Sequence, residues 1–220
     1  MYIGPNIATN GLVLALDAAN PRSYPGTGTT WYDLSGNGHN ATLVNGPGFN
    51  SDNKGNISFD GSNQYASFSN PLNQVAIDAV WTVQCWIRIT TAPAQTLIGG
   101  LHNAVYIEYV QGNNSLLYLN AGANDYYTYG GSFTTGNWEF ATFRFNNATG
   151  DREIWKNLTD ISTSGPNNTS TPTGQNSTFT LSSSSNAING NVSCLFIYNR
   201  YLSSSEIENN YDTLKKRFGL

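Results

Sequence analysis

Trp31-Tyr32-Asp33-Leu34-Ser35-Gly36-Asn37-Gly38-His39-Asn40 packs two aromatics, a carboxylate, two amides and two glycines into one short stretch. Oxygen-bearing side chains alternate at Asp33, Ser35 and Asn37, and Gly38 follows where a sharp bend is needed. That order matches positions one, three, five and six of an oxygen-ligand calcium loop, but Val44 stands where such a loop carries its bidentate Glu. The same order describes a tight connection in which Asp33 accepts backbone N–H bonds and the glycines supply positive φ. A calcium ion held here needs more than one carboxylate, so Asp17 or Asp60 and backbone carbonyls would have to join Asp33, Ser35 and Asn37.

The rest of the chain sets the frame for this stretch. Of 220 residues only 11% are charged and 13% are aromatic, with 22 glycines. Few charges, many aromatics and many turn residues favour numerous short strands joined by tight loops within one domain. A net charge of −4 provides no basic field for phosphates, so nucleic acid is not an expected partner. No apolar run is long enough to span a membrane, and no basic segment followed by an apolar one marks an export signal near Met1. Cys85 and Cys194 match no metal or redox spacing; buried thiols and a single bridge are the two readings.

Apolar alternation places strands at Gly11–Asp17, Ala41–Val44, Asn56–Gly61, Gln64–Phe68, Val80–Ile89, Thr96–Gly99, Val105–Tyr109, Ser115–Leu119, Trp138–Phe145, Arg152–Asn157, Thr178–Leu181 and Asn191–Arg200. Asp60-Gly61-Ser62-Asn63 is a turn, and Gly112-Asn113-Asn114 closes a hairpin. In Val80–Ile89, Trp81, Val83, Cys85, Ile87 and Ile89 share one parity while Trp86 is apolar on the other, as in a strand buried on both faces. Ser162–Ser177 holds no large apolar residue and reads as a long surface loop. A helix is expected over 203–218. Ser203 and Glu206 form its capping box and Leu202 with Ile207 a staple, while Ile207, Tyr211, Leu214 and Phe218 line one face. About a dozen short strands with frequent turns predict an all-β, two-sheet antiparallel sandwich of jelly-roll type with a short C-terminal α-helix. The expected layout is an N-terminal arm over 1–10 and one domain over 11–220.

Several of these motifs fall in a familiar order. Leu14-Ala15-Leu16-Asp17-Ala18-Ala19-Asn20-Pro21, the Trp31–Asn40 stretch, Phe59-Asp60-Gly61, Trp81–Arg88 and Phe196-Ile197-Tyr198-Asn199-Arg200-Tyr201-Leu202-Ser203 resemble successive motifs of laminin-G-like, concanavalin-A-like lectin jelly rolls. The wording from Asp17 through Tyr24-Pro25-Gly26-Thr27-Gly28 to Asn37 resembles most the version in structural proteins of tailed bacteriophages. That resemblance implies a virion surface protein, made in the host cytoplasm and released without an export signal. It would act in capsid or tail decoration or in adhesion. Implied partners are other virion proteins, further copies of the chain and a host glycan; calcium is the implied cofactor, since relatives of this fold often carry it.

Three chemistries compete for a site. Glycan hydrolysis needs two carboxylates close together, but Glu108, Glu139 and Glu153 each stand alone on their strands, and His39 and His102 lack a nucleophile motif, so no catalytic residue is assigned. The cation loop is the second. A carbohydrate platform is the third: Asn124, Asp125, Tyr126, Tyr127 and Tyr129 combine flat apolar faces with hydrogen-bonding tips, Tyr127 and Tyr129 sharing a parity. Tyr24, Trp31 and Tyr32 offer a second aromatic group, in which Trp31 is better placed to anchor the loop by packing.

Overall fold

The computed structural model describes residues 4–72, 80–91, 95–102, 105–110, 115–120, 125–128, 133–146, 148–149, 151–162 and 178–220. In chain order the strands are β1 Leu12–Asp17, β2 Thr30–Trp31, β3 Ala41–Val44, β4 Gly48–Asn50, β5 Asn56–Asp60, β6 Tyr65–Ser69, β7 Val80–Ile89 and β8 Gln95–His102. They continue with β9 Val105–Val110, β10 Ser115–Asn120, β11 Asp125–Thr128, β12 Glu139–Asn146, β13 Asp151–Lys156, β14 Thr159–Asp160, β15 Thr178–Leu181 and β16 Asn189–Tyr198. One α-helix, α1 Ser204–Lys215, follows and tightens into a 3-10 turn over Lys216–Phe218.

The strands form two eight-stranded antiparallel sheets. The first runs β14-β13-β12-β7-β16-β5-β4, with β1 pairing the C-terminal half of β16; the second runs β11-β10-β9-β8-β15-β6-β3-β2. The expected two-sheet sandwich is therefore present, and β9 and β10 pair as the hairpin signal requires, Val110 opposite Ser115. The turn at Asp60–Asn63 does not close a hairpin, because β5 and β6 lie in different sheets. Gly61, at φ 79°, carries the chain across; a Cβ there would lie 2.9 Å from Asn189 Cβ. Most of the expected 162–177 loop lies outside the described residues.

Burial splits the apolar residues into two cores. Between the sheets lie Leu14, Leu16, Trp31, Trp81, Val83, Ile87, Phe143, Phe145, Phe179 and Ile197. On the outer face of the first sheet lie Ala15, Trp86, Phe140, Phe196 and Tyr198, together with Ile7, Ile207 and Leu214. Strand β16 changes parity on the way: Val192 faces the sandwich core, but so do Leu195 and Ile197. A register shift between Val192 and Cys194 accounts for this, since one extra residue swaps the faces of everything after it. Both cysteines are buried and free; Cys85 faces the sandwich core and Cys194 the outer core, so the sheet separates them. Burial pushes the Cys85 thiol up to about 12 and raises Cys194 as well, which leaves both as inert packing groups.

The outer core is closed by the helix and by residues of the N-terminal arm. Ser203 Oγ accepts from Glu206 N at 3.3 Å and Glu206 Oε2 accepts from Ser203 N at 2.9 Å, the reciprocal cap that the sequence predicts. Phe218 stacks on Trp86 with ring centroids 4.1 Å apart. Ala8 N donates to Asn210 Oδ1 at 2.7 Å, and Thr213 Oγ1 donates to Asn6 O at 3.0 Å, so the arm is part of the same packing unit. Asn210 Nδ2 also reaches Gln84 Oε1 at 2.7 Å and Tyr198 OH at 3.0 Å, a buried polar chain that sets how the helix sits on the sheet. At the far end Arg217 donates to both oxygens of the fully buried Asp17, at 2.7 and 2.9 Å.

Arg217→Ala leaves the Asp17 carboxylate buried without its cation, and a loss of about 3–5 kcal/mol in urea unfolding is expected. Hydrogen bonds from Arg200, chiefly, and from Ser203 hold Glu206 at about 2, against an ordinary 4.5. A folded pKa below the unfolded one stabilises above the unfolded value, and that contribution is lost as pH falls toward the folded one. The stability gap between wild type and Glu206→Gln should therefore be widest above pH 4.5 and close as the pH approaches 2, read by denaturant titration at each pH.

Candidate functional site

Trp31 is fully buried in the sandwich core and anchors the loop that follows. From there the loop folds onto the Asp33 carboxylate. Oδ1 accepts from Ala15 N and Ser35 N, both at 2.9 Å, and Oδ2 accepts from Ser35 Oγ at 2.7 Å and His39 N at 3.1 Å. Asn40 Oδ1 accepts from Asp33 N at 2.9 Å. Asn37 turns its amide nitrogen inward, toward Val13 O at 3.2 Å and Ser35 Oγ at 3.0 Å. Gly36 at φ 93° and Gly38 at φ 80° make the bends.

This geometry does not suit a cation. Four donors use the four lone-pair directions of Asp33, and Asn37 presents N–H where a metal needs oxygen. Asp17, one of the two acids a cation here would recruit, is committed to Arg217. Asp60, the other, is exposed and accepts from Ser62 N at 2.9 Å. Among the described residues no group of three or more His, Cys, Asp or Glu side chains is placed to hold a metal. As arranged, Asp33, Ser35 and Asn37 form a self-bonded turn that ties the loop to β1.

The other acids are likewise held by the fold. Burial raises Glu139 against the opposing pull of Lys156 and Thr134; its Oε2 accepts from Thr134 N at 3.0 Å and Lys156 Nζ lies 3.7 Å from Oε1. Burial also pushes Glu153 up, but the nearby Tyr201 hydroxyl and hydrogen bonds from Trp155 and Arg144 outweigh it and leave the carboxyl below its ordinary range. Arg144 pairs with Glu153 and lies over the rings of Trp155 and Tyr201, 4.9 and 4.3 Å from their centroids. These contacts bind strands and the helix entry to one another.

Of the tyrosine-rich segment, Asp125–Thr128 forms β11, the edge strand of the second sheet; Asn124 and Tyr129 lie outside the described residues. Register sets Tyr127 opposite Tyr118 and Tyr118 opposite Ile107, which is buried between the sheets. The second aromatic group does not form a platform. Trp31 and Tyr24 are buried, Tyr24 OH donating to Gly28 O at 2.8 Å, and only Tyr32 is exposed, at 46%. Elsewhere on the second sheet Thr30, Thr42, Ser67 and Thr180 line up across four strands on the solvent side, a row not visible until the strands are paired.

Fold and site together define a lectin-type jelly roll with a closed family turn and solvent-facing positions on β3, β6 and β15 of the second sheet. The chain belongs to the laminin-G-type family described as the concanavalin A-like lectin/glucanases superfamily, whose profile matches residues 60–208. No curated protein matches the sequence. Among solved structures, the binding domain of botulinum neurotoxin DC in complex with SialylT has a TM-score of 0.73 at 17% identity, covering 94% of this chain and 52% of that one. The same binding domain with rat synaptotagmin II also scores 0.73, at the same identity and coverage. Trypanosoma rangeli sialidase in complex with sialic acid has a TM-score of 0.66 at 17% identity, covering 94% of this chain and 33% of that one. This chain thus spans about half of the toxin domain and a third of the sialidase, and at such identity the likeness is one of fold.

Asp33→Ala strips the acceptor from Ala15 N and Ser35 N, and a loss of about 2–4 kcal/mol is expected. A chelator should leave the thermal midpoint of the wild type unchanged; a midpoint that drops with chelator and returns with calcium would put a metal back in the loop.

Proposed function

We propose that this chain is a non-enzymatic, lectin-like binding module on a virion surface and that its ligand is a host-surface glycan. The unequal covering of the two sheets carries the reading. The first sheet has its outer face sealed over much of its area by α1 and the arm. The second keeps alternating positions open on β3, β6 and β15, with hydroxyls at Thr42, Ser67 and Thr180, and ends at the tyrosine-bearing edge strand β11. Hydroxyls at fixed spacing give a sugar its hydrogen bonds, and tyrosine is a residue type on which sugars stack.

Two further observations support the ligand class and the setting. The similar toxin and sialidase structures were solved with SialylT and with sialic acid, respectively. The Asp17–Asn37 wording resembles that of tailed-phage structural proteins, and a chain with only 11% charged residues suits packing against further copies and other virion proteins. Hydrolysis is not part of the proposal, because Glu139 and Glu153 are engaged by Thr134, Lys156 and Arg144.

A glycan array of host surface polysaccharides should show selective binding, reduced about tenfold or more in Tyr126→Ala. Prolonged incubation with a bound polysaccharide should leave it uncut. A blank array would overturn the glycan assignment, and cleavage would overturn the non-enzymatic one.

A further inference from the structure

The part of the first sheet's outer face beyond the C-terminal helix has a different character from the sealed part. Register sets Gly48, Ser58, Asn191 and Arg88 opposite one another on β4, β5, β16 and β7. Trp138, immediately before β12, completes the row, with the Arg88 guanidinium 5.5 Å from its ring centroid. Arg88 donates from Nε at 3.3 Å and from Nη2 at 2.9 Å to a single acceptor, Asn191 Oδ1. Asn191 is buried and fixed in turn, its Nδ2 donating to Asn56 Oδ1 at 2.9 Å. Trp138 is held by Asn53, which accepts from its Nε1 at 2.9 Å, and by Phe218 at 4.9 Å.

The result is a half-buried cation positioned entirely by neutral groups. Arg144, Arg200 and Arg217 each face a carboxylate; Arg88 faces none among the described residues. Its Nη1 makes no hydrogen bond there and is not among the buried unpartnered atoms, so solvent reaches Nη1; with Nε and Nη2 sharing one acceptor, guanidinium planarity turns the second Nη2 hydrogen toward the Nη1 side. On the neighbouring row the acid is Asp60, two strands away, roughly 10 Å across the sheet, and engaged with Ser62. A guanidinium held by Asn191 and Trp138, with both Nη1 hydrogens and one Nη2 hydrogen unspent, can meet a planar carboxylate at a reduced ordering cost.

We propose that Arg88 binds the carboxylate of an acidic sugar through its Nη1/Nη2 edge, with Asn191 and Trp138 as positioning residues. The inference deepens the lectin-like reading and rests on it. Ser58 and Thr90 around the row offer hydroxyl groups for a sugar ring. A single cation in this row, on a chain of net charge −4, suits a single carboxylate and not a polyanion such as nucleic acid.

The test is an NMR titration of the intact chain, following the Arg88 Nε and Trp138 Nε1 resonances, with D-glucuronate, D-glucose and acetate as probes. Glucuronate should shift both resonances saturably, with affinity on the order of millimolar and falling with salt. Glucose should leave them in place and acetate should bind at least about tenfold more weakly. Arg88→Gln should lose about tenfold or more of the glucuronate affinity, with thermal unfolding run on the same sample. Should Arg88→Gln fail to fold, Arg88→Lys keeps the charge without the fork and should still bind several-fold more weakly than wild type. Glucuronate binding unchanged by either variant, or matched by acetate or glucose, overturns the proposal. If neutral glycans bind on the array while glucuronate leaves Arg88 unmoved, this inference fails alone; a blank array removes the reading beneath it.

Discussion

Strand β16 is apolar on both faces, and neither face can be left in water. Val192, Leu195 and Ile197 require a second sheet on one side; Cys194, Phe196 and Tyr198 require a cover on the other. Most of the architecture answers these two demands. The second sheet meets the first, while α1, the 3-10 turn after it and residues of the N-terminal arm meet the second. The bulge between Val192 and Cys194 makes the arrangement possible, because it lets the N-terminal half of β16 pair with β5 and the C-terminal half with β1 while both keep apolar residues inside.

The helix cover is directional because of polar contacts within an otherwise apolar interface. Asn210 bonds Gln84, Tyr198 and the backbone of Ala8, and Gln84 Nε2 passes the chain on to Thr142 Oγ1 at 3.0 Å. Asp17–Arg217 at one end and Arg200–Glu206 at the other hold the two helix termini. Apolar burial supplies the attraction without a register; buried hydrogen bonds and ion pairs penalise every register but one. A consequence is that the outer face of the sealed sheet is left less covered beyond the helix end, where Arg88 and Trp138 lie.

Much of the fold was legible in residue order. The parity of Val80–Ile89, the capping box at Ser203 and Glu206 and the turn signals between short apolar runs all led to elements that exist. Short edge strands such as β2, β4 and β14 carried too few residues to show a period. The Asp60–Asn63 turn is a visible turn whose outcome was not visible, since a turn signal says that the chain bends and not which sheet it enters. Site chemistry was less legible still. Asp33-x-Ser35-x-Asn37 fits a metal loop and a self-bonded turn equally, and only the direction of the Asn37 amide and the donors around Asp33 separate them.

By itself the sequence determined the local matters: where strands and helix form, which faces are apolar, and that the chain is a lectin-type jelly roll, because these depend on side-chain period and short motifs. Tertiary structure decided the pairings between distant residues. Asp17 with Arg217, Arg88 with Asn191 and Trp138, and the hydroxyl row of Thr42, Ser67 and Thr180 each join segments far apart in the chain. No local pattern encodes such a meeting; it follows from the order of strands in each sheet and from the one extra residue in β16 that sets which side chains share a face.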